Sequence, residues 1–344
     1  KPTNIREPNS RILPCGKPVV STPNVLPTSR KAIIRASETI LEGDLVAFPT
    51  ETVYGLGADA TNDSAVAGIF EAKNRPSFNP LIVHIKDTEM ASTLGYMNEN
   101  ALKLAHKFWP GPLTLTVPRL PNSPASLLVS AGLDTIALRV PNHPAALALL
   151  TEVGRPIAAP SANLSGTVSP TTAQHVAESL GNVVSYILDG GPCKVGIEST
   201  IVLVDNSGVR LLRPGGVSQE ELEEVLGERL LRSNAPGERP LSPGQLARHY
   251  APKHRIRLNV TDPQDGEVLL AFGPKLPDYS GRYLNLSPIG DVREAAANLF
   301  AMMRELDNFD SEGIAVMKVP ETGLGVAIND RLRRAATRPD ESRL

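Results

Sequence analysis

Two cations, Lys73 and Arg75, stand at the end of a stretch with helical periodicity and are followed at once by Pro76. Such a pair can grip phosphate oxygens, the arginine through its planar fork and the lysine as a point charge. It can equally serve the negative end of the helix it terminates. The run Ser161-Ala162-Asn163-Leu164-Ser165-Gly166 directly follows an apolar stretch at 156–160. Loops at the carboxyl ends of strands form the ligand crevice of open α/β sheets, and uncharged donors there suit a nucleotide; an ordinary turn would use the same residues. A third stretch, 48–57, gathers Thr50, Glu51, Thr52, Gly55 and Gly57. That set fits a small amino-acid pocket or a turn.

Other residues constrain the chemistry. Arg139, flanked by Leu138 and Val140, needs a partner for its charge inside a strand, either a bound carboxylate or a protein Asp or Glu. His84, within the apolar run 81–85, reads first as a satisfied core histidine. His249 and His254 lack a third ligand at a convincing spacing, so no protein metal site is expected. There is no GxxxxGK[ST], and neither Gly55-Leu56-Gly57 nor Gly323-Leu324-Gly325 extends to GxGxxG. No Ser/His/Asp nucleophile can be assembled from the spacings. Any ATP chemistry must cradle phosphate in another way.

The elements that must position these groups alternate between short apolar runs and amphipathic stretches. Ser29 caps a predicted helix over 30–41, and a strand follows at 45–49. Asp63 is expected to cap a helix at 64–74, which Pro76 stops. Strands are predicted at 81–85, 113–117, 135–140, 156–160 and 184–189, with helices at 99–108, 144–153 and 172–180. The runs 199–204 and 209–212 are close enough to form a hairpin, so the sheet is expected to be mixed. Residues 217–231 read as a short charged helix and 233–243 as a proline-rich linker. A smaller α/β pattern follows, with strands at 267–272, 282–286 and 313–319 and helices at 292–307 and 329–336. Residues 1–29 read as an extended tail.

At 344 residues the chain exceeds a single core, and two domains are expected. A formal charge of -2 excludes a general polycation, and 4% aromatic residues disfavour a row of base-stacking platforms. Cys15 and Cys193 form neither a CxxC pair nor a disulfide framework, which fits a reducing compartment. No signal-peptide core is visible and no apolar run approaches the roughly 20 residues of a membrane helix, so a cytoplasmic location without a membrane partner is expected.

Together the motifs are more specific than any one alone. The stretch 48–57, Ala72-Lys73-Asn74-Arg75-Pro76 with Asn79-Pro80-Leu81, Trp109-Pro110-Gly111-Pro112-Leu113-Thr114, Ala159-Pro160-Ser161-Ala162-Asn163, Gly196-Ile197-Glu198-Ser199-Thr200 and Leu212-Arg213-Pro214-Gly215 resemble the YrdC-like L-threonylcarbamoyladenylate synthases. Ser242-Pro243-Gly244, His249-Tyr250-Ala251-Pro252 and the stretch 323–334 are similar to the linker and second domain of that family's long form. The resemblance covers nearly everything after residue 30. It implies a YrdC-like mixed twisted α/β sheet with helices over 30–216, a linker over 217–253 and a smaller Rossmann-like α/β domain over 254–344.

The implied reaction joins L-threonine, bicarbonate and ATP into L-threonylcarbamoyladenylate with release of pyrophosphate, for threonylcarbamoyladenosine modification of tRNA. By the same resemblance Thr52, His84, Arg139, Ala159 and Ser199 hold threonine, Ala159 through its backbone or its shape. Arg75, Asn79, Thr135, Ser161, Ser169 and Arg213 hold ATP, with Lys73 and Arg75 as the catalytic cations. Mg²⁺ is expected to accompany ATP, with no organic cofactor. Downstream threonylcarbamoyl-transfer proteins are the implied partners, and any contact with tRNA is weak. Where some long-form relatives carry a linker tyrosine near the nucleotide, this chain has Ala247, with Arg248, His249 and Tyr250 nearby. Two rivals remain at this point: an RNA-binding module, disfavoured by the near-neutral charge, and the YrdC-like part of hydrogenase-maturation carbamoyltransferases, whose zinc-finger cysteines are missing here.

Overall fold

The computed structural model describes residues 24–231, 241–244 and 249–337. Cys15, most of the expected tail, most of the proline-rich linker and Ala247 with Arg248 lie outside the described residues.

The first domain is built on ten strands: β1 (Val25–Pro27), β2 (Val46–Phe48), β3 (Gly55–Asp59), β4 (Ile82–His84), β5 (Leu113–Pro118), β6 (Thr135–Arg139), β7 (Ile157–Ala158), β8 (Tyr186–Asp189), β9 (Thr200–Asp205) and β10 (Gly208–Arg213). They form one sheet in the order β1-β8-β2-β3-β7-β4-β6-β5-β9-β10. The pairs β1/β8, β2/β8, β4/β6 and β5/β9 are parallel and the remaining neighbours antiparallel, so the sheet is mixed, as the hairpin β9–β10 requires.

Helices α1 (Arg30–Leu41), α2 (Asp63–Lys73), α3 (Thr88–Leu94), α4 (Glu99–Phe108), α5 (Pro144–Val153), α6 (Ala173–Leu180) and α7 (Gln219–Leu226) serve this domain. Helices α1 and α5 pack Ile33, Ala36, Ile40, Leu149 and Leu150 against Phe48 and Leu188. A larger core joins α2, α4 and α6 to the strands through Val66, Ile69, Leu104, Val176, Val83 and Leu138. Each such fully buried Leu or Ile contributes roughly 1.5–3 kcal/mol relative to exposure.

The second domain has a four-stranded, all-parallel sheet in the order β11-β14-β12-β13, made of β11 (Ile256–Arg257), β12 (Glu267–Ala271), β13 (Tyr283–Asn285) and β14 (Gly313–Val316). Helices α8 (Val292–Leu306) and α9 (Leu324–Ala336) pack on it. Its core runs into the first domain: Val53, Val168 and Ile197 belong to the same buried cluster as Leu299, Phe300, Ile328 and Leu332. Among the described residues no helix is long and apolar enough to cross a membrane.

Several elements differ from the sequence expectation. Residues 55–59 form strand β3 rather than a loop. Gly57 is needed there because a Cβ would come within 2.8 Å of the Phe48 ring, and strand glycines mask the alternation that marks a strand. Val25–Pro27, inside the expected tail, adds an edge strand beside β8. Asn62, not Asp63, caps α2, its side chain accepting the N–H groups of Ser64 and Ala65. Asp63 sits in the first turn, where its charge favours the helix dipole. Helix α3, capped by Asp87, was not expected, and α9 begins at Leu324 rather than near 329.

One close approach sets the floor of the later site. A Cβ on Gly215 would lie 2.4 Å from the backbone of Glu198, Ser199 and Thr200. Gly215→Ala is expected to lower unfolding free energy by about 2–3 kcal/mol, measured by denaturant titration; an unchanged midpoint would show that the two segments can separate freely.

Candidate active site

Strand register brings the chemistry onto one face. Parallel pairing of β4 with β6 sets His84 beside Arg139 and Ile82 beside Ala137. Residues two apart share a face, so both polar side chains stand over one apolar patch of Ile82, Ala137, Ile201, Leu203 and Leu212. Chain exits supply the rest: Thr50–Thr52 after β2, Ala159–Ser161 after β7, Arg75 after α2, and Arg213 at the end of β10. Gly55 and Ser161 form a bridge that holds two of these exits together. Pro243, Gly244, His249 and Tyr250 cover the hollow. The volume left is about 50 Å³, room for a few waters. A larger surface groove of about 890 Å³ lies elsewhere, between the ends of α2 and α6, and the residues lining it include no cation.

Arg75 is buried, and its guanidinium donates to the carbonyls of Asn79 at 3.2 Å and Pro80 at 2.8 Å. Arg213, also buried, donates to the Ser199 carbonyl at 2.9 and 3.2 Å and to the Pro243 carbonyl at 3.4 Å. Among the described residues neither forms an ion pair with a carboxylate. Burial, then the charge of Arg213, pushes Arg75 down to about 9, so it is still cationic at neutral pH. Burial likewise lowers Arg213. Two guanidiniums whose hydrogen-bond acceptors among the described residues are all neutral oxygens form a ready site for an anion.

Arg139 has the protein partner that sequence left open. Its Nη2 lies 2.7 Å from Glu51 Oε1, its Nη1 donates to Thr52 Oγ1 at 2.9 Å, and its Nε donates to the Gly111 carbonyl at 3.1 Å. Glu51 also accepts the Asn142 N–H at 3.0 Å. His84 is not a satisfied core residue: it lines the cavity, its Nδ1 has no partner among the described residues, and its ring meets Phe48 edge-on. Burial first, and Arg139 second, hold it well below the usual histidine range, so the ring is neutral. His249 is likewise pushed down to about 3, chiefly by burial.

Of the residues expected at the site, Thr52, Arg75, His84, Arg139, Ala159, Ser161, Ser199 and Arg213 all line this one cavity. Four others do not line it. The Lys73 ammonium, expected beside the phosphates, is instead buried and donates to the carbonyls of Ser161 (2.6 Å) and Asn163. Burial and then the charge of Arg75 hold it well below its ordinary range. Asn79 is buried and supplies a carbonyl to Arg75, Ser169 gives its hydroxyl to Glu198 at 2.6 Å, and Thr135 begins β6 opposite Pro118.

Sequence reasoning missed Glu51 as the partner of Arg139, although its position one residue before Thr52 was a signal. It also missed Glu198 as a wall residue and its partner Arg331, at 3.0 Å from helix α9. Burial is the largest single influence and would raise Glu198, but Arg331, Arg213, the Ser169 hydroxyl and His249 together hold it below the ordinary carboxylate value.

Two outcomes follow from these pairs. Glu51→Ala leaves Arg139 buried without a counter-charge and is expected to cost about 3–5 kcal/mol of stability; a loss under 1 kcal/mol by denaturant unfolding would show that Arg139 escapes to solvent. Glu198, depressed in the folded state, contributes stability that is complete above its ordinary value of 4.5 and is lost as pH falls through its lower folded value. The stability of Glu198→Gln is therefore expected to fall less steeply than wild type on acidification from pH 5, and parallel curves would contradict this.

Comparison with known proteins follows the same two-part layout. A family model described as "Telomere recombination" (Sua5_yciO_yrdC) matches residues 38–215, and one described as "Threonylcarbamoyl-AMP synthase, C-terminal domain" matches 217–337. The threonylcarbamoyl-AMP synthase of Bacillus subtilis (strain 168) is 42% identical over 334 residues, covering 92% of this chain and 96% of its own. That of Pyrococcus abyssi (strain GE5 / Orsay) is 44% identical over 318 residues, covering 88% and 93%. The crystal structure of P. abyssi Sua5 complexed with L-threonine superposes with a TM-score of 0.83 at 39% identity, covering 91% of this chain and 97% of that one. With both domains matched and identity above 40% across nearly the whole length, the chain belongs to the threonylcarbamoyl-AMP synthase family.

Proposed function

We propose that the cavity between the two domains joins L-threonine, bicarbonate and ATP into L-threonylcarbamoyladenylate and pyrophosphate, and that the adenylate is used by downstream transfer proteins to modify tRNA. Threonylcarbamoyl-AMP synthesis is the activity of the family. The assignment of its steps to this cavity rests on one observation: two buried guanidiniums that have no carboxylate partner among the described residues face a hydroxyl-lined rim and a neutral histidine in a single hollow.

In this reading Arg139, held by Glu51 and Thr52, presents its remaining polar edge to the threonine carboxylate. Val53, Ile82 and Ala159 form the apolar wall of the hollow. A methyl-sized recess there would favour threonine over serine by roughly 1–3 kcal/mol. The amine adds to bicarbonate, water leaves, and the resulting N-carboxylate attacks the α-phosphorus; pyrophosphate then departs. Two anions must meet, so the protein contributes placement and charge neutralisation rather than a covalent intermediate. Arg75 and Arg213 supply that charge, and Ser161 and Ser199 supply neutral donors. Lys73 acts one step back, fixing the Ser161–Asn163 backbone, and Asn79 and Ser169 orient Arg75 and Glu198 in the same indirect way.

Mg²⁺ enters this scheme as the companion of ATP. Among the described residues there is no group of three or more His, Cys, Asp or Glu side chains that could cage a metal. Both carboxylates nearest the cavity, Glu51 and Glu198, are engaged by arginines. The substrate phosphates are thus the fitting ligands, in keeping with the preference of Mg²⁺ for phosphate oxygen and water. The small remaining volume also means that the hollow has to widen for a nucleotide to enter.

The deciding experiment incubates the protein with ATP, bicarbonate and threonine and detects the adenylate by mass spectrometry, with pyrophosphate release measured alongside. Arg75→Ala or Arg213→Ala in folded protein is expected to lower kcat/KM for ATP by about 100-fold. Rates within twofold of wild type would remove the phosphate role. Adenylate formation that does not depend on threonine would remove the substrate assignment.

A further inference from the structure

Glu198 is the one carboxylate among the described residues that line the cavity, and it is close enough to Arg213 for each to shift the other's ionisation. It does not pair with Arg213. One oxygen takes the Ser169 hydroxyl at 2.6 Å and the other takes Arg331 Nε at 3.0 Å. Arg331 comes from α9 of the small domain and is fully buried. Its Nη1 also donates to the carbonyl of Pro214, the residue after Arg213. Its guanidinium lies 5.5 Å from the centre of the Tyr250 ring, which stacks on Phe300 of α8 at 5.5 Å. The position of Arg331 is therefore set by the core of the small domain.

Without that arginine, the guanidinium left to act on the Glu198 carboxylate is Arg213, whose acceptors among the described residues are all uncharged. An ion pair there would cancel one of the two cations available to an incoming polyphosphate. We propose that Arg331 is a positioning residue: the small domain inserts it behind the cavity wall to hold Glu198 away from Arg213, so the nucleotide site carries its full positive charge only when that domain is docked. By linkage, nucleotide binding in turn favours docking. This inference rests on the reading of the cavity as the ATP site.

The test measures ATP and threonine binding to the full chain by calorimetry, with thermal unfolding as a check on folding. Arg331→Met is expected to weaken ATP about tenfold or more while changing threonine affinity about twofold or less. Glu198→Gln/Arg331→Met, which removes the stray carboxylate as well, is expected to bring ATP affinity back to within about threefold of wild type. A structural role alone predicts no such rescue, and equal losses for both ligands or an unrepaired double variant would overturn the proposal. Should Arg331→Met fail to fold, Glu198→Gln carries the question: ATP affinity equal to or tighter than wild type supports it, and a tenfold loss overturns it. Arg75→Ala separates the two levels. If it retains wild-type ATP affinity, the site reading itself fails; if it loses affinity but the rescue is absent, only the role of Arg331 fails.

Discussion

The constraint that organises this molecule is the burial of positive charge without matching negative charge. Placing Arg75 and Arg213 in a low-dielectric cavity is unfavourable unless neutral dipoles solvate them. The chain meets that demand with backbone carbonyls from Asn79, Pro80, Ser199 and Pro243. Those carbonyls are free to point inward because they lie in the connections ahead of β4 and β9 and in the linker, outside the strand ladders. The mixed strand order follows the same logic, since it brings exits from β2, β7, β10 and α2 to one rim.

The paired charges obey a complementary rule. Arg139 is bound to Glu51, and Glu198 to Arg331, so both of these carboxylates are already answered. Residues that do not touch the hollow still govern it. Lys73 holds the Ser161 and Asn163 carbonyls, and Ser169 holds Glu198. The domain seam is apolar around this polar network, with Val53, Val168 and Ile197 in one cluster with Leu299 and Phe300. The two domains therefore share a core as well as a site.

Much of this was legible because strands and helices leave different periods in the sequence. Ile82 and His84, or Ala137 and Arg139, could be placed on a common face from alternation alone. Glycine and proline hid the rest: β3 contains Gly55 and Gly57, and β1 ends in Pro27. The roles of Lys73 and Arg75 could not be separated by sequence, since both end the same helix and only tertiary packing turns one toward the Ser161 loop and the other into the cavity. Arg331 was hidden for another reason. It shares a basic stretch with Arg333 and Arg334, which reads as a solvated face. Yet Leu324, Ala327, Ile328, Arg331, Leu332 and Ala335 are all buried on one stripe of α9, and an arginine inside an apolar stripe was the available signal. What no local pattern could supply was its partner, 133 positions earlier.

The short strand β1 has a further bearing on how the sheet meets other chains. Among the described residues it is one rim of the ten-stranded sheet, only three residues long and ending in a proline that has no amide hydrogen to offer. At the opposite rim, the outer side of β10 is bridged by Leu231, whose N–H donates to Val209 at 2.8 Å. Among the described residues both rims thus present short or partly bridged edges, the kind of edge that disfavours strand-to-strand pairing with another sheet.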